Sequence, residues 1–216
     1  MIKILLVEDD KLLGESLCEF FLKNGYEAKW IDDDRDVMAT LSIELFDIVI
    51  LDLMLKFSKG EDLVKKIKEK NRDLPIIVTT AKNDIKSKEE CFSYGADDYL
   101  TKPFNPKELI LRIDAVCKRF YPVNQIEKIG DLEIDMDSKT VKKGAKELFL
   151  TKKEWALLEF LIKRKGKVVT HGDILNYIWA DRDVGEDSVR AYIKKLRNIL
   201  PEGAIETCKG RGYRLK

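Results

Sequence analysis

Five side chains that suit phosphate chemistry follow apolar segments in the first half of the chain: Glu8, Asp9, Asp52, Thr80 and Lys102. Clustered carboxylates are hard oxygen ligands of the kind that Mg²⁺ prefers. A carboxylate beside a metal ion can attack phosphorus and form an acyl phosphate. An ammonium group and a hydroxyl can then neutralise and hydrogen-bond the phosphoryl oxygens. The residue types therefore indicate phosphoryl transfer, provided that the fold brings these residues together.

The segment that must position them is the apolar run Ile48–Leu51, which leads directly into Asp52. A run this short suits a strand that is buried on both faces, as in a parallel sheet covered by helices. Further strands, alternating with helical patterns, are expected at Lys3–Val7, Ala28–Ile31, Pro75–Val78 and Tyr99–Leu100. Right-handed crossovers would place the carboxyl ends of all these strands at one edge. We therefore predict a doubly wound, five-stranded parallel α/β sheet of the flavodoxin-like type, with the polar side chains at that edge.

Two other α/β classes fit the residues poorly. A dinucleotide-binding fold needs a glycine-rich turn after its first strand, whereas this chain has the polar segment Glu8–Lys11 there. A phosphatase of the haloacid dehalogenase type would need a second aspartate two residues after its nucleophile, and Met54 occupies that position. Both classes are therefore disfavoured.

The periodicity changes in the second half of the chain. Short alternating segments between residues 132 and 150 predict an antiparallel meander. Helices follow, and the first two begin at the capping signals Thr151 and Thr170. The third, at about Asp187–Leu200, carries a basic stripe and precedes a basic hairpin with its tip at Cys208–Gly212. Such a helix can fill a major groove of DNA while the hairpin touches the adjoining backbone.

Charge separates the two halves in the same way. Residues 1–119 hold 20 Lys and Arg against 24 Asp and Glu, a net charge of −4, whereas residues 120–216 hold 20 against 15, or +5. This asymmetry indicates that only the second half meets a polyanion. No apolar segment approaches the roughly 20 residues of a membrane span. The four scattered cysteines are interpreted as reduced thiols, so a cytoplasmic protein without a membrane partner is expected.

The acidic, threonine and lysine motifs of the first half match a known domain. These motifs are Val7–Asp10, Asp52–Leu55, Thr80–Ala81 and Gly95–Phe104. Together they resemble the receiver domain of two-component response regulators. The resemblance implies that a cognate histidine kinase phosphorylates Asp52. It further implies that Asp9, Asp52 and the Met54 carbonyl hold Mg²⁺ with support from Glu8. Lys102 would bind the phosphoryl group, and Thr80 and Tyr99 would act as switch residues.

The same resemblance gives a dimerisation role to charged residues near the last helix of the first half. Positions that the OmpR/PhoB subfamily uses for this contact are matched by Lys88, Asp97, Asp98, Glu108, Arg112 and Arg119. An ordinary solvated face, with Glu108 and Arg112 as an i,i+4 pair, is the alternative. Mixed charges also suit a self-complementary two-fold contact, so a homodimer promoted by phosphorylation is expected.

The second half resembles the winged helix-turn-helix output domain of the OmpR/PhoB subfamily, an α+β fold. The matching motifs are Leu150–Glu154, Ile193–Arg197 and Lys209–Tyr213. The resemblance implies DNA contacts from Lys194, Lys195 and Arg197 on the helix and from Arg211 on the wing. Arg190 is added because it lies on the same basic stripe. Because Asp187 and Tyr192 stand where the family often has Arg and His, the family's base preference does not carry over.

These observations predict a two-component response regulator with a receiver at 1–120, a linker at 121–127 and a winged-helix domain at 128–216. Phosphorylated dimers would bind paired half-sites in double-stranded DNA and regulate transcription, and RNA polymerase is left open as a further partner. Its enzymology would be limited to its own phosphorylation and dephosphorylation. The alternative is a DNA-binding regulator independent of phosphorylation, with the receiver as a constitutive dimerisation module. The DNA-binding half disfavours a stand-alone phosphotransfer enzyme.

One departure from the family lies beside the expected phosphorylation site. Lys56 stands where the family usually has proline, and Phe57–Gly60 is atypical beyond it. Because proline restricts the backbone, a loop without it is expected to be more mobile, and here also more basic.

Overall fold

The computed structural model of the chain describes residues 2–81, 85–122, 125–179 and 185–216. The chain divides into two compact units, one ending at Phe120 and the other beginning at Tyr121. Residues 123 and 124 of the expected linker lie outside the described residues. None of the described helices is long and apolar enough to cross a membrane.

A parallel five-stranded sheet forms the centre of the first unit, as predicted. Its strands are β1 (Lys3–Val7), β2 (Glu27–Ile31), β3 (Ile48–Asp52), β4 (Ile76–Thr80) and β5 (Asp98–Thr101). They lie in the order β2-β1-β3-β4-β5, and every pair of neighbours is parallel. The apolar residues of β3 are completely buried, since helices cover both faces of a sheet of this type. The all-parallel strand order 2-1-3-4-5 confirms the flavodoxin-like fold class.

A helix follows each of these strands: α1 (Lys11–Lys23), α2 (Val37–Ile43), α3 (Gly60–Lys70), α4 (Ile85–Ser93) and α5 (Pro106–Phe120). A short 3₁₀ helix, Asp34–Asp36, precedes α2. The Asp10 carboxylate accepts hydrogen bonds from the backbone N–H groups of Leu12 and Leu13, which caps α1 immediately after the acidic motif. The apolar stripe of α5 is buried at Leu109 and Ile113.

The second unit is a winged-helix domain. Four antiparallel strands come first: β6 (Ile126–Ile129), β7 (Leu132–Asp135), β8 (Thr140–Lys143) and β9 (Lys146–Leu148). The helices that follow are α6 (Lys152–Lys163), α7 (His171–Ile178) and α8 (Glu186–Ile199). The wing is the antiparallel hairpin of β10 (Ile205–Cys208) and β11 (Gly212–Leu215). Capping boxes at Thr151 and Thr170 start α6 and α7, as their sequence signals predict.

Strand β6 begins inside the segment for which the sequence indicates a linker. Its first two residues reverse the expected burial: Glu127 is buried, while Ile126 is 51% exposed. The ammonium group of Lys165 lies 3.7 Å from the Glu127 carboxylate, so the inward charge has a partner. A pattern of apolar residues cannot identify a strand that buries its acidic residue.

Candidate functional site

The carboxyl edge of the parallel sheet brings together the polar side chains selected from the sequence. Strand β1 ends just before Glu8 and Asp9, and β3 ends at Asp52. Carboxylate oxygens of these three residues lie within 4.8 Å of one another. Strand β4 ends at Thr80, and β5 ends one residue before Lys102. Topology therefore assembles the cluster from four strands, as right-handed crossovers require.

Lys102 joins two of the carboxylates. Its ammonium nitrogen lies 2.6 Å from Asp52 Oδ2, and 2.9 and 2.7 Å from the two oxygens of Glu8. The backbone N–H of Lys102 also donates to the carbonyl oxygen of Thr80 at 2.8 Å, which fixes the end of β5 against β4. The side chains are 19% exposed for Lys102, 1% for Glu8 and 6% for Asp52, so water screens this ion pair weakly.

Burial and charge shift the pKa values of this ion pair. Burial raises the pKa of Glu8 above its usual range, although the hydrogen bond from Lys102 opposes the shift. Burial would lower the pKa of Lys102, but its hydrogen bonds with Asp52 and Glu8 outweigh that effect and raise it. Lys102 is therefore a firmly charged cation beside Asp52.

The donor set fits a divalent cation. Glu8, Asp9 and Asp52 supply hard oxygen atoms, the ligand type of Mg²⁺. Their three formal negative charges and the one positive charge of Lys102 leave −2, which a divalent cation would balance. The backbone N–H of Met54 donates to Asp52 Oδ1 at 2.9 Å, so the backbone at Met54 lies next to the same carboxylate. The Met54 side chain itself is 55% exposed.

The two residues expected to act as a switch are both buried. Thr80 is 0% exposed at the end of β4. The ring of Tyr99 on β5 is 9% exposed and packs near Phe92, with a distance of 6.4 Å between ring centres. The ammonium group of Lys88 lies 5.5 Å from the centre of the Tyr99 ring. In this structure the tyrosine ring therefore has the inward position.

Trp30 and Gly14 support the site, although their roles were missed in the sequence. The indole nitrogen of Trp30 on β2 donates to the carbonyl oxygen of Glu8 at 2.8 Å. A Cβ atom on Gly14 of α1 would lie 2.4 Å from the Trp30 ring, so only glycine leaves room for it. A glycine inside an amphipathic helix is the signal that could have indicated this close packing.

The residues expected at a dimer contact interact with one another on the receiver. Arg112 of α5 donates to both carboxylate oxygens of Asp98, at 3.0 Å, and to Glu108 at 2.7 Å. Arg119 donates to the backbone carbonyl of Asp97. The Asp97 carboxylate instead accepts from Lys68 at 2.7 Å and from a backbone N–H of β4 at 2.8 Å. Asp97 is therefore engaged within its own subunit.

Three of the residues expected to contact DNA are spread along α8. Arg190 forms ion pairs with Glu186 and Asp187 in the first turn of the helix. Lys194 is exposed, and no ion pair is found for it in the described part of the chain. The ammonium group of Lys195 lies 3.5 Å from a Glu154 oxygen at the start of α6.

The other two expected DNA contacts involve the wing. Arg197 reaches from α8 to β10, where it donates to the carbonyl oxygen of Ile205 at 3.0 Å and to the Thr207 hydroxyl at 2.7 Å. Arg211 is exposed at the tip of the hairpin. Arg197 thus ties the helix to the wing, an arrangement that the basic stripe did not reveal.

Family models match both units of the chain. The model described as response regulator receiver domain matches residues 4–114. The model described as transcriptional regulatory protein, C terminal, matches residues 145–215.

Several known proteins are similar to the chain over its whole length. Transcriptional regulatory protein PcoR of Escherichia coli is 32% identical over 222 residues, which cover 100% of this chain and 98% of PcoR. Regulatory protein VanRB of Enterococcus faecalis is 35% identical over 216 residues, with coverage of 100% and 98%. The crystal structure of response regulator DrrB, an OmpR/PhoB homolog of Thermotoga maritima, matches with a TM-score of 0.51 and 33% identity, covering 100% of this chain and 99% of DrrB.

Proposed function

Because this chain belongs to the OmpR/PhoB-type two-component response regulators, which regulate transcription, we propose that Asp52 accepts a phosphoryl group from a histidine kinase. The observation that carries the proposal is the position of the Lys102 ammonium group, which lies 2.6 Å from the Asp52 carboxylate and 2.7 Å from that of Glu8. An Asp52 oxygen would form a bond to phosphorus as the phosphorus–nitrogen bond of a phosphohistidine breaks. The electron pair would return to the imidazole, which takes up a proton. Lys102 would then face the added phosphoryl charge.

Mg²⁺ is the cofactor that suits this edge of the sheet. Asp9, Asp52 and the Met54 carbonyl would hold it, with Glu8 in support, because the clustered carboxylates supply hard oxygen ligands. When bound, the ion supplies positive charge for the phosphoryl oxygens. The chain's own residues would orient the acceptor: Lys102 holds one Asp52 oxygen and the Met54 N–H holds the other. No catalytic activity beyond its own phosphorylation and dephosphorylation is proposed.

Phosphorylation would act through the switch residues on the dimer face. A phosphoryl group adds about −1.5 to −2 charges and three acceptor oxygens next to Thr80 and Lys102. The Thr80 hydroxyl would move toward it and the inward position of Tyr99 would be favoured. Two copies of the chain would then form a homodimer through the face that contains Lys88, Asp97, Asp98, Glu108, Arg112 and Arg119. The pairs that Arg112 makes within one subunit are available for exchange across a two-fold axis.

The dimer would present two winged helices to paired half-sites in double-stranded DNA. Helix α8 would enter the major groove, and the wing would touch the adjoining backbone. The contacting residues would be Arg190, Lys194, Lys195, Arg197 and Arg211. A chain that meets both a kinase and DNA would act in the cytoplasm, and RNA polymerase bound near its sites is a further candidate partner.

A labelling experiment tests the phosphorylation step. The full chain is incubated with acetyl phosphate and Mg²⁺, and the phosphorylated residue is located by mass spectrometry. The label should appear on Asp52, disappear in Asp52→Asn, and persist in Asp62→Asn, which removes an exposed carboxylate of α3. Labelling of Asp52→Asn at the parent level would contradict the assignment.

A further inference from the structure

The loop between Asp52 and Gly60 is the part of the site where the sequence departs most from its family. It joins β3 to α3 and contains Met54, whose carbonyl is proposed to bind Mg²⁺. Lys56 in this loop is exposed and stands where the family usually has proline. The sequence therefore predicted a more mobile loop, yet the structure shows contacts that restrain it.

Asp34 holds the tip of this loop. Its carboxylate is 5% exposed and lies in the short 3₁₀ helix before α2. One of its oxygens accepts the backbone N–H of Phe57 at 3.1 Å, and the other accepts the Ser58 hydroxyl at 2.5 Å. A charged acceptor with two donors forms stronger hydrogen bonds than a neutral one. Phe57 and Ser58 lie 23 and 24 residues after Asp34 in the sequence, so the two bonds restrain the loop against a distant part of the unit.

A cation beside Asp34 adds a second contact to the loop. The Arg35 guanidinium lies 3.8 Å from the centre of the Phe57 ring, in the geometry of a cation–π contact. Asp33 holds the guanidinium in place through bonds of 2.9 Å from Nε and 2.6 Å from Nη2. The hydrogen bond from Arg35 is the main reason why the pKa of Asp33 falls to about 2. Asp34 therefore binds the backbone of Phe57, and its neighbour Arg35 contacts the ring of the same residue.

The base of the loop is closed by Gly60. Its backbone N–H donates to the carbonyl oxygen of Leu53 at 3.3 Å. A Cβ atom at Gly60 would lie 2.4 Å from Leu53 Cα and 2.9 Å from the Asp52 carbonyl oxygen. The start of α3 therefore packs directly on the backbone that follows Asp52. With the base closed here and the tip held by Asp34, Met54 lies in a segment fixed at both ends.

We propose that Asp34 is a positioning residue for the phosphorylation site, which fixes the loop that carries Met54 and so presets its carbonyl for Mg²⁺. Its carboxylate restrains the loop from outside, in a chain that lacks the usual proline within it. This role rests on the proposed function, because it concerns a ligand of the Mg²⁺ ion. Groups that orient metal ligands without touching the metal typically change its affinity by about 10–100-fold when they are removed.

Mg²⁺ titrations of the full chain test this role. The readout is the fluorescence of Trp30, whose indole is hydrogen-bonded to the carbonyl of Glu8. Asp34→Ala should raise the Kd for Mg²⁺ by about tenfold. Asp34→Asn loses the same charge but keeps an oxygen acceptor for the Phe57 N–H, and its amide can donate to Ser58, so it should stay near the parent. Asp36→Ala, which removes an exposed carboxylate of the same 3₁₀ helix, is the control and should bind Mg²⁺ like the parent.

A second readout separates positioning from general loss of structure. At saturating Mg²⁺, Asp34→Ala should be phosphorylated by acetyl phosphate at close to the parent rate, because the bound ion then fixes the loop. Unfolded protein would be inactive at every Mg²⁺ concentration. Should Asp34→Ala fail to fold, Ser58→Ala removes one of the two bonds and should raise the Kd in the same direction by a smaller factor.

The outcomes that overturn the proposal are distinct. Parent-like Mg²⁺ affinity in both Asp34→Ala and Ser58→Ala would refute the positioning role while leaving the proposed function intact. Equal weakening in Asp34→Ala and Asp34→Asn would assign the effect to lost charge and would also refute it. A parent chain that binds no Mg²⁺ would remove the proposed function together with this inference.

Discussion

Replacing Lys102 with alanine removes the one cation that the described residues place between Glu8 and Asp52. Without Mg²⁺, the variant should be less stable than the parent because two nearly buried carboxylates lose their counter-charge. Breaking a buried ion pair commonly costs about 3–5 kcal/mol. Since the Lys102 side chain is 19% exposed, the lower end applies, and we expect a loss of about 3 kcal/mol in the free energy of unfolding.

Mg²⁺ should reverse part of this loss. The formal charge of the site becomes −3 instead of −2 when Lys102 is removed from a cluster of three carboxylates. The variant should therefore bind Mg²⁺ more tightly, and each tenfold gain in affinity adds about 1.4 kcal/mol of stability at saturation. The difference in unfolding free energy between variant and parent should thus fall to about half in saturating Mg²⁺.

Urea unfolding of the full chain, followed by tryptophan fluorescence with and without Mg²⁺, measures both quantities. Trp30 lies in the receiver, and a Trp30→Phe counterpart supplies the background from Trp155 and Trp179. Lys68→Ala is the matched control. The Lys68 ammonium group lies 2.7 Å from the Asp97 carboxylate in another largely buried ion pair, but Asp97 precedes β5 at the opposite edge of the sheet. Its loss of stability should not depend on Mg²⁺. A Lys102→Ala deficit that Mg²⁺ leaves unchanged would refute the reasoning.

Two further substitutions probe the loop base and the DNA surface. Gly60→Ala should lose about 1–3 kcal/mol of unfolding free energy, because the new Cβ would lie 2.4 Å from Leu53 Cα. Gly172→Ala is the control, because a Cβ atom there would make ordinary contacts only. Equal stability of the two variants would count against the close packing at Gly60. Lys195→Ala should weaken binding to all DNA sequences alike and reduce the salt dependence by about one unit. Arg214→Ala is the control and should leave that slope unchanged, because the Arg214 guanidinium is paired within the wing. An unchanged slope in Lys195→Ala would exclude a phosphate contact of Lys195.

The sheet and the position of the acidic cluster were predictable because both depend on local patterns. Short apolar runs such as Ile48–Leu51 identify buried strands, and the residue after each run lies at the carboxyl edge of a parallel sheet. Side-chain chemistry at those positions then indicates the reaction without knowledge of distances. This reasoning fails at the start of β6, since Glu127 faces inward where the pattern requires an apolar residue.

Contacts between distant segments could not be predicted in this way. Asp34 appears in the sequence as one member of an acidic run before a helix, and nothing local shows that its carboxylate accepts donors from Phe57 and Ser58. The same holds for Arg197, which reads as part of a basic stripe but is hydrogen-bonded to the wing. Both roles depend on how separate elements pack, which periodicity does not encode.

DNA binding before and after phosphorylation tests the central claim most directly. DNA sequences are selected with the acetyl phosphate-treated chain, and binding to the selected duplex is then measured for the parent and Asp52→Ala, with and without acetyl phosphate. We predict that phosphorylation tightens binding by the parent and produces a dimer on paired half-sites, while Asp52→Ala does not respond. Equal binding by the parent and Asp52→Ala under all conditions would contradict control through Asp52 and would favour a receiver that acts as a constitutive dimerisation module.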